Sequence, residues 1–573
     1  MLPDLITICF AVLGAILLRI LFQALPEKLE SFLDASIILA YIAGMFVHFI
    51  YRAGIDIFLL TIAYVTYYQF GILFDRGKFA KRKQLIELVK ESDAVEIEQM
   101  KTYSRLIIDL LLTAFVMAGG IAFFIFAPET YSLTKFVILL AFIFVLVKTL
   151  ERISNFFTTK MYWLKDAEKL IVLSFFQSRE YPLSDLKAVE TESSPDILKL
   201  HPLFTFLSSN LDFTCSNQAV LKLSFPGEYV YLTPSQIEQW VSILKKFAPE
   251  SPEHTEKKVL PIWHPTVLKR LFWKGYFAVA VKGISAYTSL ILILILLDVP
   301  WWVIVTAAVF WWLLNLSVSD RVLIAATDAK RVTEGELYER AQVIFHRANV
   351  KNPQLFIADS PVYNGFATGM NIGRSTIILT KATMELSNEA VDAILAHEAM
   401  HVKHRDILIV QLARIVFMGM LALLIYQFYD QLLVLAERKS LLIVVLVYLI
   451  MILFPLFLSF VSQWTEVRAD HLGAKLLPNG NAQMASGLRE LALESEKDIE
   501  KSLEYQRVSD ENEENRFSEL ERQPWFIRIL EFQFQAHPPM YWRIQSLETY
   551  PTWNKARKGW MFARITESLP RFK

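Results

Sequence analysis

Residues 393–406 read AILAHEAMHVKHRD and place His397, Glu398 and His401 in the order H-E-x-x-H. At about 3.6 residues per turn, side chains four apart stand one above the other, so the spacing predicts a helix that projects both imidazoles from one face. Two imidazoles so placed suit one zinc ion, which takes nitrogen ligands at about 2.0–2.1 Å in a tetrahedral shell. Glu398, turned about 100° around the axis from His397, reaches a water at the same site without itself ligating, which makes it the candidate general base. A solvated amphipathic helix carrying two histidines by chance looks the same over this stretch alone. The surrounding sequence separates the two readings.

The chain has 573 residues, 54% hydrophobic and 13% aromatic, with a mean hydropathy of +0.36. That is too apolar for a water-soluble enzyme and too long for one domain, and it marks a membrane protein. Basic and acidic residues balance at 58 each, so no overall field points to nucleic acid. Cys9 lies in an apolar run and Cys215 in a polar segment, which provides neither a disulfide framework nor a thiolate zinc site. The N-terminal MLPDLITICFAVLGAILLRILF lacks a basic leader and reads as a retained first span.

Apolar runs able to cross a bilayer fall at 5–25, 35–51, 55–74, 106–127, 136–150, 276–297, 301–318, 407–428 and 441–461, about nine spans. Residues 1–150 are expected to form an N-terminal membrane bundle, 151–273 a small β-containing insert, and 274–573 a membrane metalloprotease domain. The loop 75–105 carries Arg76, Lys78, Lys81, Arg82, Lys83, Lys90, Lys101 and Arg105. The bias of cations towards the cytoplasm puts that loop, the insert, residues 319–405 and the C-terminus on the cytoplasmic side. Within the insert, LIVLSFF, AVLKLSF and YVYLTP read as strands and SQIEQWVSILKKF as a closing helix. This order loosely resembles a pleckstrin-homology-like module. The charged residues 494–522 read as a flexible insertion or a mobile flap.

A catalytic zinc needs a third protein ligand besides the two histidines. His404 shares their helix face but lies about 10.5 Å along the axis from His397, too far for one ion to be held by all three. A third histidine in the metzincin register is absent, because Ile407 occupies that position. A carboxylate from another helix remains, and SQWTEVRADHLGAKLL, directly after the 441–461 span, offers Glu466 and Asp470 four residues apart on one face. One of them can bind the ion while the other accepts the outer N–H of a ligand histidine. The expected catalytic helices are 391–406 and 462–477.

HEAMHVKHRD, two intervening spans and then EVRAD resemble the integral-membrane zinc metalloproteases of the HtpX and CAAX prenyl protease group, whose signature is H-E-x-x-H followed by a distant E-x-x-x-D. LFIADSPVYNGFATG, with Gly365 where alanine is usual, resembles the strand segment of that group, and HPPMYWRIQSL its His-Pro segment. The resemblance runs from about residue 321 to 547. It implies a mainly α polytopic membrane protein with a cytoplasmic zincin-type α+β domain. It also implies His397, His401 and Glu466 as ligands of one Zn2+, Glu398 as base, and Asp470 with Asp406 behind the ligands. Asn364 falls on an edge strand against which an extended substrate pairs, and His537 and Arg543 fall near the substrate or transition state. The departure at Gly365 is expected to loosen that strand locally.

The expected activity is hydrolysis of peptide bonds in membrane or unfolded proteins at the cytoplasmic membrane surface, in protein quality control, at the inner membrane if the source is bacterial. The alternatives are a narrow processing protease and a receptor or scaffold that signals through a protease-like domain.

Overall fold

The apolar runs fold as helices whose start signals stand beside them. Asp4 accepts the Thr7 N–H at 2.9 Å and opens Leu5–Gln23, and Asp56 accepts the N–H groups of Phe58 and Leu59 at 2.9 and 3.2 Å and opens Ile57–Leu73. The computed structural model describes residues 4–51, 56–127, 132–201, 204–207, 209–248, 263–282, 299–368, 375–438, 440–507 and 518–570. Among these, 7 helices are long and apolar enough to cross a membrane, and the chain is a mainly helical, multi-pass membrane protein. The expected span at 136–150 lies within the helix Ser132–Thr158, outside those seven. That at 276–297 falls mostly outside the described residues.

Two 4-stranded sheets build the insert. One runs in the order Ala94–Glu96, Lys160–Leu164, Lys169–Leu173, Arg179–Pro182; the other in the order Ala188–Glu192, Val220–Phe225, Glu228–Leu232, Asn210–Asp212. Their inner faces share one core with the closing helix Ile237–Leu244, through Leu170, Val172, Leu223, Val230 and Trp240. The strand Ala94–Glu96 comes from the basic loop, which is a helix over Arg76–Glu91 and then crosses into this sheet against Tyr162–Leu164. Tyr505 is buried in the same core, its ring tilted against that of Tyr181 with centroids 4.9 Å apart.

That placement corrects the reading of 494–522 as one flexible insertion. Its first part continues the helix Gly480–Glu504, and its charges pair across to the insert: Lys501 with Asp185 at 2.6 Å, and Asp498 with Lys187 at 3.3 Å and the Gly227 N–H at 3.1 Å. A charged stretch with partners waiting on another surface needs no hydrophobic face to become ordered. Residues 508–517 lie outside the described residues.

A third sheet, in the order Gly365–Thr368, Ser375–Thr380, Pro353–Ala358, Lys330–Val332, packs beside the helix Asn388–His404. Ser387 caps that helix by accepting the Ala390 N–H at 3.2 Å. Its buried Ala393, Ala396 and Ala399 let neighbours approach closely: a Cβ added at Gly487 of the helix Gly480–Glu504 would meet the Ala393 Cβ at 2.7 Å.

The insert is fastened to this sheet through buried charge. Lys222, 0% exposed, reaches Asp359 at 2.9 Å and Glu190 at 3.1 Å; Lys199 also binds Asp359, and Lys381 returns to Glu190 at 2.6 Å. Asp359 sits in the loop that leads from Pro353–Ala358 to the edge strand. Removing the shared Asp359 leaves Lys222 and Lys199 each with one carboxylate, Glu190 and Glu192, in a buried place, and breaking a buried pair typically costs about 3–5 kcal/mol. Asp359→Ala is therefore expected to destabilise the protein by about 3 kcal/mol, read as a lower midpoint of thermal unfolding and faster proteolytic release of the insert.

Candidate active site

The helix Asn388–His404 ends at Arg405, whose left-handed φ of 55° breaks it from the membrane helix Asp406–Gln427. The expected 391–406 helix is thus shifted towards the N-terminus and ends two residues earlier. The expected 462–477 helix is the end of one continuous helix, Ser440–Gly473, followed by a short 3-10 turn at Ala474–Leu476. The membrane helices Asp406–Gln427 and Ser440–Gly473, joined by the short helix Tyr429–Arg438, return the chain to the first helix. Val467 to Asp470 of the long helix are buried there beside the H-E-x-x-H turn.

Three donors converge. His397 Nε2 lies 3.0 Å from His401 Nε2, and the Glu466 carboxylate oxygens lie 3.4 Å from the first and 3.3 Å from the second. Atoms bound about 2.0–2.2 Å from a tetrahedral zinc stand roughly 3.3–3.5 Å apart, so the spacing suits one small ion. The outer nitrogens point the same way chemically. His397 Nδ1 is 2.9 Å from Asp470, and His401 Nδ1 is 2.8 Å from Asp406. A carboxylate bonded to the His401 Nδ1 and another this near the His397 Nδ1 favour a proton on that nitrogen, which would leave the Nε2 lone pair for a metal. Burial lowers the basicity of both rings, but the surrounding carboxylates outweigh it; His397 is raised above the usual imidazole range and His401 well above it. The pocket is a field built for a cation.

Behind the two carboxylates stand two arginines. Arg543 donates Nε–H to Asp470 at 2.9 Å and Nη2–H at 2.7 Å, and Arg468 donates to the other oxygen of Asp406. Burial lowers the Arg543 pKa, and the Asp470 charge outweighs this and raises it. The buried Arg543 was expected near the substrate; its guanidinium is instead committed to Asp470, with one nitrogen 3.6 Å from Glu466. Arg468 was not anticipated, although its place two residues before Asp470 was the available signal. His404 is outside the cluster and donates Nδ1–H to the Met400 carbonyl at 3.0 Å.

Glu398 accepts the Ala367 N–H at 2.8 Å. Ala367 belongs to Gly365–Thr368, which pairs antiparallel with Ser375–Thr380 on one side and, among the described residues, with no strand on the other. Asn364 anchors the start of this strand: Thr383 and Thr380 hydroxyls accept its N–H at 2.9 and 3.1 Å, and its carbonyl accepts the Thr380 N–H at 3.0 Å. Gly365 keeps its pairing with Leu379, and an added Cβ would meet Ile394 at 2.7 Å and Leu379 at 2.9 Å. The strand is therefore tightly packed at the point where loosening was expected. His537, 63% exposed, brings Nδ1 to 2.9 Å from Glu466 and stands at the mouth of the site.

Residues 331–550 match peptidase family M48, and residues 160–248 match a bacterial PH domain. A protease HtpX homolog of Pelotomaculum thermopropionicum is 39% identical over 95 residues, 16% of this chain and 34% of the relative. One of Moorella thermoacetica is 31% identical over 186 residues, 30% of this chain and 60% of the relative. The chain thus spans less than two thirds of the length of these curated relatives. The crystal structure of S. mikatae Ste24p aligns with a TM-score of 0.34 at 16% identity, over 49% of this chain and 66% of that one.

Because Arg543 holds the carboxylate that holds His397, Arg543→Met is expected to weaken metal binding about 10–100-fold, measured by competition with a chromophoric chelator.

Proposed function

We propose that this chain, whose residues 331–550 match peptidase family M48, is a membrane-embedded zinc metalloendopeptidase of the HtpX and CAAX protease kind. The reading rests on one observation above others: three donors about 3 Å apart, each histidine backed by a carboxylate, beside an acid bonded to an open strand edge. His397, His401 and Glu466 would hold a zinc ion, which supplies a Lewis acid for water and for the scissile carbonyl.

The chain's own residues do the rest. The outer edge of Gly365–Thr368 takes an extended substrate by strand addition, which reads backbone rather than side chains. Asn364, fixed by Thr380 and Thr383, sets where that edge begins. Glu398 accepts a proton from the attacking water; oxygen bonds to the carbonyl carbon, the C–N bond breaks, and Glu398 returns the proton to the leaving amine. His537 donates to the oxyanion from the mouth of the cleft. Asp406, Asp470, Arg468 and Arg543 hold the imidazoles still.

The site opens at the cytoplasmic membrane surface, since the loop 75–105 is rich in cations and two membrane helices meet at the ligand set. Substrates are accordingly membrane proteins or unfolded segments of them, a role in quality control. Residues 1–150, 151–273 and 274–573 are the bundle, the PH-like insert and the protease domain of this arrangement, with 94–96 contributing a strand to the insert. The intact base and donor set favours hydrolysis over a scaffold.

Purified zinc-loaded protein in detergent is expected to cleave casein, and Glu398→Gln to lose about 10²–10⁴-fold of that rate while still binding zinc. Equal cleavage by both proteins would remove Glu398 from the mechanism.

A further inference from the structure

The membrane helices flanking the site also frame a groove of about 470 Å³ that the proposed chemistry does not use. Ile409, one turn into Asp406–Gln427, and Phe460 and Trp464, near the end of Ser440–Gly473, form its apolar walls. Arg557, Lys558 and Met561 of the helix Trp553–Thr566 complete it. Trp464 is two residues before Glu466, so the groove lies where the long helix leaves the bilayer for the active site.

The helix that closes the groove is built for a membrane surface. Its buried side, Ala556, Trp560 and Ala563, packs on Val467, and Trp560 meets Phe460 with ring centroids 5.1 Å apart. Its sequence WNKARKGWMFARIT has Lys555, Arg557, Lys558 and Arg564 and no acid. Lys558, Met561, Phe562 and Ile565 follow the i, i+3, i+4, i+7 spacing of one face, on which Phe562 is 70% and Ile565 65% exposed. Among the described residues, Arg557 and Lys558 have no acidic partner. A basic helix with exposed aromatic and aliphatic residues, anchored by tryptophans at the end of a span, matches the chemistry of the headgroup boundary.

We propose that this groove binds one anionic phospholipid from the leaflet that borders the active site. An acyl chain lies against Ile409, Phe460 and Met561, and the phosphate is held by Arg557 and Lys558. Charge complementarity selects this occupant: two cations at the rim of an apolar cleft, with no acidic partner among the described residues, call for a ligand that is anionic at one end and hydrocarbon at the other. The lipid would also touch the support of the catalytic site. Trp464 lies under the Arg468 guanidinium at 4.4 Å, and Arg468 bonds the Asp406 that holds His401.

The test uses the full chain in nanodiscs of phosphatidylcholine alone or mixed with phosphatidylglycerol, with bound lipid counted by native mass spectrometry after release. The parent is expected to retain one phosphatidylglycerol and no phosphatidylcholine. The double variant Arg557→Glu/Lys558→Glu should bind it at least about tenfold more weakly. Met561→Trp, which fills the groove and leaves both cations, should lose it as well; circular dichroism and elution volume verify the fold of each. Equal retention of both lipids by the parent, retention of phosphatidylglycerol by both folded variants, or a second copy of the chain or a peptide in place of lipid would overturn the proposal.

Discussion

Two imidazoles on adjacent turns of one helix come together at 3.0 Å because a carboxylate holds each from behind, and those two carboxylates come from different elements. Asp406 is the first residue of the following membrane helix, and Asp470 sits in the last turns of the long one. Glu466 is one turn from Asp470, so the element that positions His397 also delivers the third donor. The arginines then set the charge. Three carboxylates around two histidines would repel one another in a buried space, and Arg468 and Arg543 each neutralise one of the supporting pair. The membrane hairpin that begins at Asp406 returns the chain so that Glu466 and Asp470 meet the helix that carries the histidines.

A second set of ionic contacts governs the other side of the molecule. Arg105 and Arg152, on the helices Tyr103–Phe126 and Ser132–Thr158, bind Asp109 and reach Asp212 of the insert, at 2.9 Å for Arg105. Lys199 and Lys222 of the insert bind Asp359, just before the edge strand. The insert therefore joins the N-terminal bundle to the loop that sets the strand beside Glu398. Buried pairs of this kind add little net stability over apolar packing, but an unsatisfied member is costly, so they fix one docking geometry.

How much of this was legible in the sequence follows the range of each interaction. The placing of His397 and His401 on one face was readable because helical spacing is local, and so was the acidic face made by Glu466 and Asp470 four residues apart, while the choice of Glu466 as the third donor came from the resemblance; the three donors do lie together. The family resemblance came from motifs in order, and the M48 match bears it out. The break at Arg405 was not readable: an arginine in the left-handed region carries no composition signal of the kind glycine gives. Nor were the Lys199 and Lys222 bonds to Asp359, whose partners lie 160 and 137 residues apart. The helix at 494–504 reads as flexible because its sequence is polar, and its order comes from Asp498, Lys501 and the adjoining Tyr505, which meet partners on a distant surface. Gly365 is required by Ile394 and Leu379, neighbours that only the fold supplies.

We propose that His397, His401 and Glu466, whose donor atoms lie together, form one zinc site. X-ray absorption at the zinc edge, on protein purified with a single equivalent of metal, reads it most directly. The account predicts a shell of two imidazole nitrogens with carboxylate and water oxygens at about 2.0–2.2 Å, reduced to one imidazole in His401→Ala. A sulfur shell, an all-oxygen shell, or an unchanged spectrum in that variant would contradict it.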